Sequence, residues 1–217
     1  GPTGSGKSTT LASLIDAFNH TRPAHIITIE DPIEFAYTND QAIIEQREVQ
    51  SDTLSFAAAL MHAMRQAPDI IMVGEMRDTA TMAAALTASE TGHLVFATIH
   101  TNTAPQTIDR IIDSFPSEHQ NQIRQQLASA LLGIISQRLL PRLDGKGRIA
   151  AFEVMIATPP VCALIRDNKT FQLQSIIETS QKDGMLTLEY YMNALVQRGL
   201  IAQDEIGKYL AEAKRFG

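Results

Sequence analysis

The chain has 217 residues and a formal net charge of −6, with 44% hydrophobic and 19% charged side chains. This is the balance of an ordinary globular protein, and the acidic excess argues against a general nucleic-acid-binding surface. The single cysteine, Cys162, excludes an internal disulfide and a cysteine-rich zinc site and fits a reducing cytosol, and no apolar run approaches the ~20 residues of a membrane-spanning helix.

The first eight residues match the phosphate-loop pattern G-x-x-x-x-G-K-[ST]. In this pattern the glycines let backbone N–H groups turn towards phosphates, Lys7 supplies charge to the β- and γ-phosphates, and the Ser8 hydroxyl ligates Mg²⁺. The following residues predict a helix from Ser8 to Asn19, whose positive dipole end adds to the site. The sequence therefore predicts an ATP and Mg²⁺ site that includes Gly1, Pro2, Thr3, Gly4, Ser5, Gly6, Lys7, Ser8 and Thr9.

An acidic loop follows the next predicted element. The apolar, β-branched run from His25 to Ile29 predicts a buried parallel strand, and it continues into Glu30-Asp31-Pro32-Ile33-Glu34. Ligands of open α/β sheets bind at the carboxyl ends of the strands, so these carboxylates are expected near the phosphate site. We predict that Glu34 orients or deprotonates the attacking water, and that Glu30 or Asp31 holds Mg²⁺ through its waters.

Two further buried strands deliver polar residues to the same edge. A short strand or two is expected near residues 46–48, and a helix that ends near Gln66 precedes the run Ile70-Ile71-Met72-Val73-Gly74-Glu75. This run has the Walker B arrangement, in which the carboxylate of Glu75 supports Mg²⁺ or its waters. The third strand, from His93 to Ile99, leads to His100, which can hydrogen-bond a γ-phosphate. No cysteine joins His93 and His100, and their spacing does not fit a compact zinc site.

The remaining sequence is predicted to be mostly helical around one β-hairpin. A helix is expected over 79–90, a long one from Ser117 that includes Ile134, and strands over 138–143 and 148–156. The paired prolines after Thr158 suggest a boundary between a core at 1–157 and a helical subdomain at 158–217. Because the strand that normally leads into a phosphate loop is missing before Gly1, we expect the chain to be part of a longer protein.

These motifs, in this order, resemble the ATPase domain of the PilT-type pilus-retraction motors of the secretion ATPase superfamily. The resemblance rests on the phosphate loop, the acidic box Thr28 to Glu34, the Walker B run through Asp78, and the histidine box from Thr91 to Ala104. The segment Gly133-Ile134-Ile135-Ser136-Gln137-Arg138-Leu139-Leu140-Pro141 also resembles the family. One motif departs from it: Pro160 to Asp167 keeps only Leu-Ile-Arg of the family's Ala-Ile-Arg-Asn-Leu-Ile-Arg-Glu.

The resemblance implies an α/β fold with a RecA-like core, ATP hydrolysis at subunit boundaries of a homohexameric ring, and attachment to an inner-membrane pilus platform protein from the cytoplasmic side. It also implies that Glu34 is the catalytic base, Glu75 the Walker B acid, and His93 and His100 sensors of the nucleotide state. The resemblance also implies an upstream PAS-like domain, whose linker region contributes arginines to the active site of a neighbouring subunit.

Three alternatives remain open from the sequence. A pilus-extension or type II secretion ATPase would commonly carry a four-cysteine zinc insertion, which the single cysteine opposes. A RecA-like nucleic-acid translocase would be stimulated by DNA or RNA in a salt-sensitive manner, although no nucleic-acid partner is expected. A nucleotide-gated adaptor would bind ATP without steady-state turnover.

Overall fold

The computed structural model describes residues 1–216, with side chains described through residue 211. It divides into two compact units. The first, here called the sheet unit, comprises Lys7–Ile99 and Arg110–Leu131, and the second, the hairpin unit, comprises Gly1–Gly6, His100–Asp109 and the described residues from Leu132 onward. The domains 1–157 and 158–217 suggested by the sequence stay a prediction.

A parallel sheet forms the centre of the sheet unit. Its strands are β1 (His25–Glu30), β2 (Ile43–Glu48), β3 (Ile70–Val73) and β4 (Leu94–Ala97), in the order β2-β1-β3-β4. The carboxyl ends of β1 and β3 are aligned, because Ile29 pairs with Val73. Glu30, which ends β1, and Glu75, just beyond β3, therefore leave the sheet at the same edge, where ligands of such sheets bind.

The sheet unit also contains α-helices. They are α1 (Lys7–Thr21), α2 (Phe56–Ala63), α3 (Thr79–Glu90) and α5 (Ser117–Ala130), and a 3₁₀ turn at Met64–Gln66 extends α2. The N-terminus of α2 is capped by the hydroxyl of Ser55, and that of α3 by the carboxylate of Asp78, which accepts the Thr81 N–H at 2.8 Å. These caps satisfy N–H groups that the first helical turn leaves without a partner.

The central strands β1 and β3 are mostly apolar and are buried on both faces. Ile27, Ile29, Ile71 and Val73 pack with residues of α2 and α3 on one face. On the other face, Ile26, Ile70 and Met72 pack with Ile15 of α1. Alternate residues of a strand face opposite sides, so a strand that is buried on both faces needs apolar side chains at consecutive positions. This explains the continuous β-branched runs of the sequence.

The hairpin unit is organised on two long antiparallel strands. They are β5 (Gly133–Pro141) and β6 (Arg148–Ile156), and they are followed by α6 (Pro159–Arg166), α7 (Leu173–Thr179), α8 (Leu188–Gln197) and α9 (Asp204–Phe216). The core of the unit contains Leu140 and Ala151 of the hairpin with Leu188, Met192 and Ile206 of the helices. The remaining helix, α4 (Ala104–Asp113), begins in this unit and ends in the sheet unit.

The predicted parallel α/β core is confirmed, and one local prediction is wrong. The helix that begins at Ser117 ends at Ala130, and Ile134 lies in β5 instead of in that helix. Residues 134 and 135 are β-branched, and they pair with Met155 and Val154 of β6, so pairing with a distant strand overrides the helical spacing. Of the helices in the described residues, none combines the length and apolar character needed to cross a bilayer.

Candidate functional site

The phosphate-loop motif passes from the hairpin unit to the sheet unit after Gly6, and its two parts are described in turn. Lys7, Ser8 and Thr9 form the first turn of α1. The Ser8 hydroxyl donates a 3.1 Å hydrogen bond to Oε1 of Glu34, which lies exposed in the loop between β1 and β2. The side chain predicted to bind the metal and the carboxylate predicted to act as a base are therefore neighbours, although they are 26 residues apart.

Glu75 interacts with two positively charged side chains, Arg77 and Lys7. Its Oε2 lies 2.7 Å from Nη2 of Arg77, and the Glu75 side chain is only 18% exposed whereas that of Arg77 is 71% exposed. Burial lowers the pKa of Lys7, and the negative charge of Glu75 opposes this shift. The hydrogen bond from Arg77 to Glu75 raises the pKa of Arg77, with a smaller contribution from Asp31. The structure thus gathers Lys7, Glu75, Arg77 and Asp31 into one charged group.

Glu30 and Asp31 differ in their surroundings. Glu30 is buried, at 6% exposure, and its Oε1 accepts the Thr28 hydroxyl at 2.7 Å and the Gln46 amide at 3.3 Å. Asp31 is exposed at the start of the following loop. Of the two acids predicted to hold metal-bound waters, Asp31 is the accessible one, and Glu30 is engaged in a buried hydrogen-bond network.

The other part of the phosphate loop, Gly1–Gly6, lies against β5. The Gln137 amide donates a 2.8 Å hydrogen bond to the backbone carbonyl of Ser5, and a Cβ on Gly6 would come within 2.9 Å of the same amide nitrogen. Gly4 and Gly6 have φ values of +73° and +87°, a region that favours glycine. In the sequence, Gln137 stands out only as part of a segment that resembles the family, because no spacing predicts its contact with a loop 132 residues earlier.

His100 is attached to this part of the loop. Its Nδ1 lies 3.2 Å from the hydroxyl of Thr3. The segment after His100 is fixed by Glu153 of β6, whose Oε1 accepts the Ala104 N–H at 2.6 Å at the start of α4. Glu153 is buried, and burial raises the pKa of its carboxyl group, which the bond from Ala104 partly offsets. The loop that carries His100 is therefore anchored at both ends within the hairpin unit.

His93 is not brought to these residues. It lies at the amino end of β4, opposite the edge where β1 and β3 deliver Glu30 and Glu75. Its Nδ1 lies 3.0 Å from the carbonyl oxygen of Ala88 and 3.1 Å from the hydroxyl of Thr91, so it closes the end of α3. The sensor role assigned to His93 by resemblance stays a prediction.

The loop residues fit a bound phosphate chain. The positive φ angles of Gly4 and Gly6 allow N–H groups to converge on an anion, and the close approach of Gln137 leaves no room for a side chain on Gly6. Ser5 is 4% exposed, and its hydroxyl has no hydrogen-bond partner among the described residues. In the part of the protein that the structure describes, no three His, Cys, Asp or Glu side chains are grouped to hold a metal. Within the sheet unit, Ser8 and Glu75 are the side chains that would hold a Mg²⁺ ion.

A comparison with known protein families decides the classification. The family described as "Type II/IV secretion system protein" matches residues 1–205. The chain belongs to this family.

Relatives of known name are similar over most of the chain. A "Twitching motility protein" of Neisseria gonorrhoeae is 53% identical over 204 residues, which are 94% of this chain and 54% of that protein. The "Type IV pilus retractation ATPase PilT" of Pseudomonas aeruginosa is 52% identical, over 94% of this chain and 59% of that protein.

A solved structure agrees with the fold. The crystal structure of "the Pilus Retraction Motor PilT and Bound ADP" superposes with a TM-score of 0.88 at 51% identity, covering 95% of this chain and 58% of that one. The prediction of a RecA-like ATPase core is thereby confirmed. The chain spans a little over half the length of these members of the Type II/IV secretion system family.

Proposed function

We propose that the chain is the ATP-hydrolysing core of a motor that powers type IV pilus retraction and twitching motility. The observation that carries this proposal is the 3.1 Å contact of Glu34 with Ser8, which sets a carboxylate beside the hydroxyl of the phosphate loop. Membership of the secretion family and the relatives named for twitching motility and for pilus retraction support the choice of motor. The ADP in the similar PilT structure supports an adenine nucleotide as the ligand.

The residues divide the chemistry between binding and proton transfer. Lys7 and the backbone of Gly1–Gly6 bind the phosphates, and Ser8 with Glu75 holds Mg²⁺, directly or through water. When bound, Mg²⁺ offsets the negative charge of the phosphate oxygens. Glu34, an exposed carboxylate, accepts a hydrogen bond from the attacking water and can take its proton.

The nucleotide state is reported by His100. A γ-phosphate beside the loop would be a new partner for an imidazole that now lies 3.2 Å from the Thr3 hydroxyl. Because α4 begins four residues later and its first N–H is bound by Glu153, a shift of His100 would be passed directly to a helix. This is how loss of a phosphate would become a movement of the protein.

The motor would act as a homo-oligomer, and the family resemblance favours a hexameric ring that binds an inner-membrane pilus platform protein on the cytoplasmic face. A pilus-extension or secretion ATPase is the alternative within the family. We favour retraction because the relative named as a pilus retraction ATPase matches 94% of the chain at 52% identity, and the relative named for twitching motility matches 94% of it at 53% identity. A nucleic-acid translocase remains an outcome of the test below.

The test compares Glu34→Gln with the wild type in the full-length protein. Nucleotide affinity is expected to stay unchanged, and kcat to fall by about 10²–10⁴-fold, the contribution typical of a general base. Glu118→Gln, which changes an exposed carboxylate in α5, is the matched control and should turn over ATP normally.

Two results would contradict the proposal. Near-normal turnover in Glu34→Gln would remove Glu34 from catalysis. A rate that rises on addition of DNA or RNA and falls back with salt would favour the translocase instead. The direction of the force is tested by measuring pilus retraction in cells that carry the Glu34→Gln variant. Loss of retraction would indicate a retraction motor, and normal retraction would favour a pilus-extension motor.

A further inference from the structure

The loop that carries Glu34 has almost no backbone support of its own. Residues 31–37 form no helix or strand, and within the described residues none of them makes a hydrogen bond to another backbone group. A loop of this kind would leave the direction of the Glu34 side chain poorly determined. Its support comes instead from two side chains of the edge strand β2.

Gln46 holds the segment on the carboxyl side of Glu34. Its Nε2 donates a 2.7 Å hydrogen bond to the carbonyl oxygen of Phe35, and its Oε1 accepts the N–H of Tyr37 at 3.0 Å. The same Nε2 lies 3.3 Å from Oε1 of the buried Glu30. The Gln46 amide therefore donates to one backbone group of the loop and accepts from another, and its contact with Glu30 holds it at the end of β1.

Glu48 holds the segment on the amino side. Its Oε2 accepts the N–H of Ile33 at 2.9 Å, and its Oε1 accepts the Ser51 hydroxyl at 3.1 Å. Glu34 thus lies between one anchor at Ile33 and another at Phe35, its two neighbours in the sequence.

The register of the sheet explains why these two residues reach the loop. In the parallel pair of β1 and β2, Gln46 is opposite Thr28 and Glu48 is opposite Glu30. Residues two apart in a strand share one face, so both side chains lie at the carboxyl end of the sheet, on the face of Glu30. Glu45, on the other face, contacts His25 and Arg47 instead.

We propose that Gln46 and Glu48 are positioning residues that hold the carboxylate of Glu34 at the attacking water. This inference rests on the proposed function of Glu34. It assigns to β2 a role in catalysis in addition to its structural role in the sheet. Neither side chain needs to touch the nucleotide. Each acts through a backbone group adjacent to Glu34.

The expected consequence is a defect in turnover without a defect in binding. Displacing a catalytic group by about 1 Å can cost on the order of 10²-fold in rate. Gln46→Leu and Glu48→Leu, made in the full-length protein, should therefore lower kcat by about 10- to 100-fold and leave the dissociation constant for ADP unchanged. Glu48→Gln keeps an oxygen that can accept the Ile33 N–H, and it should recover most of the rate lost in Glu48→Leu.

Glu45→Leu is the matched control, because it makes the same change on the same strand but on the other face. Its kcat is expected to equal that of the wild type. Equal kcat values for Gln46→Leu, Glu48→Leu and Glu45→Leu would overturn the inference. A loss of ADP binding in Gln46→Leu that matches its loss of kcat would also overturn it, since the side chain would then support the fold and not the geometry of Glu34.

A double variant separates positioning from independent effects. If Gln46 acts only through Glu34, then Glu34→Gln combined with Gln46→Leu should be no slower than Glu34→Gln alone. Multiplied losses would overturn the inference. A normal kcat in Glu34→Gln would overturn both the proposed function and this inference. A large loss of kcat in Glu34→Gln, together with a normal kcat in Gln46→Leu, would overturn only the inference.

Discussion

The side-chain amide of Gln137 donates a hydrogen bond of 2.8 Å to the backbone carbonyl of Ser5. A residue in the middle of β5 therefore supports the phosphate loop at Ser5, which is buried. The same amide nitrogen lies 2.9 Å from where a Cβ on Gly6 would be. The amide of Gln137 therefore both bonds the backbone of Ser5 and lies where a side chain on Gly6 would begin.

Removal of the Gln137 amide should destabilise the protein. In Gln137→Leu the Ser5 carbonyl loses its donor, and a buried polar group left without a partner costs about 1–3 kcal/mol. We expect urea denaturation to show this loss and ADP to bind more weakly. Gln174→Leu is the control, because the Gln174 amide lies on α7 and donates an exposed 3.4 Å hydrogen bond to Glu178 of the same helix. Equal stability of the two variants would contradict the supporting role of Gln137.

A pair of glycine substitutions should separate backbone strain from steric contact. Gly4 and Gly6 both have positive φ, and alanine at either position costs about 1 kcal/mol or more. Only Gly6→Ala also meets Gln137, because nothing lies within 4 Å of a Cβ on Gly4. The free energy of unfolding, from urea denaturation, should therefore fall further in Gly6→Ala than in Gly4→Ala. Adding Gln137→Ala should remove part of this difference.

The stability of the protein should depend on pH through Glu153. Burial raises the pKa of this carboxyl group, so the folded state binds its proton more tightly than the unfolded state does. Its contribution therefore favours folding at low pH and is lost as the pH rises through the pKa of the folded state. The unfolding free energy of the wild type, minus that of Glu153→Gln, should fall between about pH 4.3, the usual glutamate pKa, and neutrality.

This measurement is independent of other effects of the substitution. The amide that Glu153→Gln introduces would add a constant offset, which does not change the slope with pH. A difference that stays level across the range, in urea denaturation of both proteins, would show that Glu153 does not titrate in this way.

Asn19 should be the main anchor for the far end of the acidic loop. It is 1% exposed near the end of α1, its Nδ2 donates to the Thr38 carbonyl oxygen at 2.8 Å, and its Oδ1 accepts the Asp40 N–H at 3.0 Å. Asn19→Ala leaves both groups without these partners, and we expect a loss of about 2–4 kcal/mol in thermal or urea unfolding.

Asn193→Ala is the control for that variant. The Asn193 amide donates an exposed 3.0 Å hydrogen bond to the Glu189 carbonyl oxygen of its own helix, and a change of under about 1 kcal/mol is expected. Comparable losses in the two variants would mean that the contacts of Asn19 with the loop add nothing to stability.

Prediction from the sequence worked best where local pattern and burial agree. The strands β1 and β3 can be predicted from continuous apolar runs in the sequence, because strands buried on both faces are apolar at consecutive positions. The end of α5 was not found, because the spacing of Ile134 continued the helical pattern while pairing with β6 placed it in a strand. A local pattern carries no information about a partner strand that comes later in the sequence.

The sequence by itself determined the chemical groups of the candidate site. The phosphate loop, Glu34, Glu75 and His100 could be selected because each follows a rule that relates residue type to its place beside a helix start or a strand end. Tertiary structure alone decided which of these groups meet and what supports them. The contact of Ser8 with Glu34 and the supports from Gln46, Glu48 and Gln137 join groups that lie 9 to 132 residues apart, at separations that no helical or strand period predicts. Such contacts depend on how strands pair and how loops fold over them, and these arise from the packing of the whole protein.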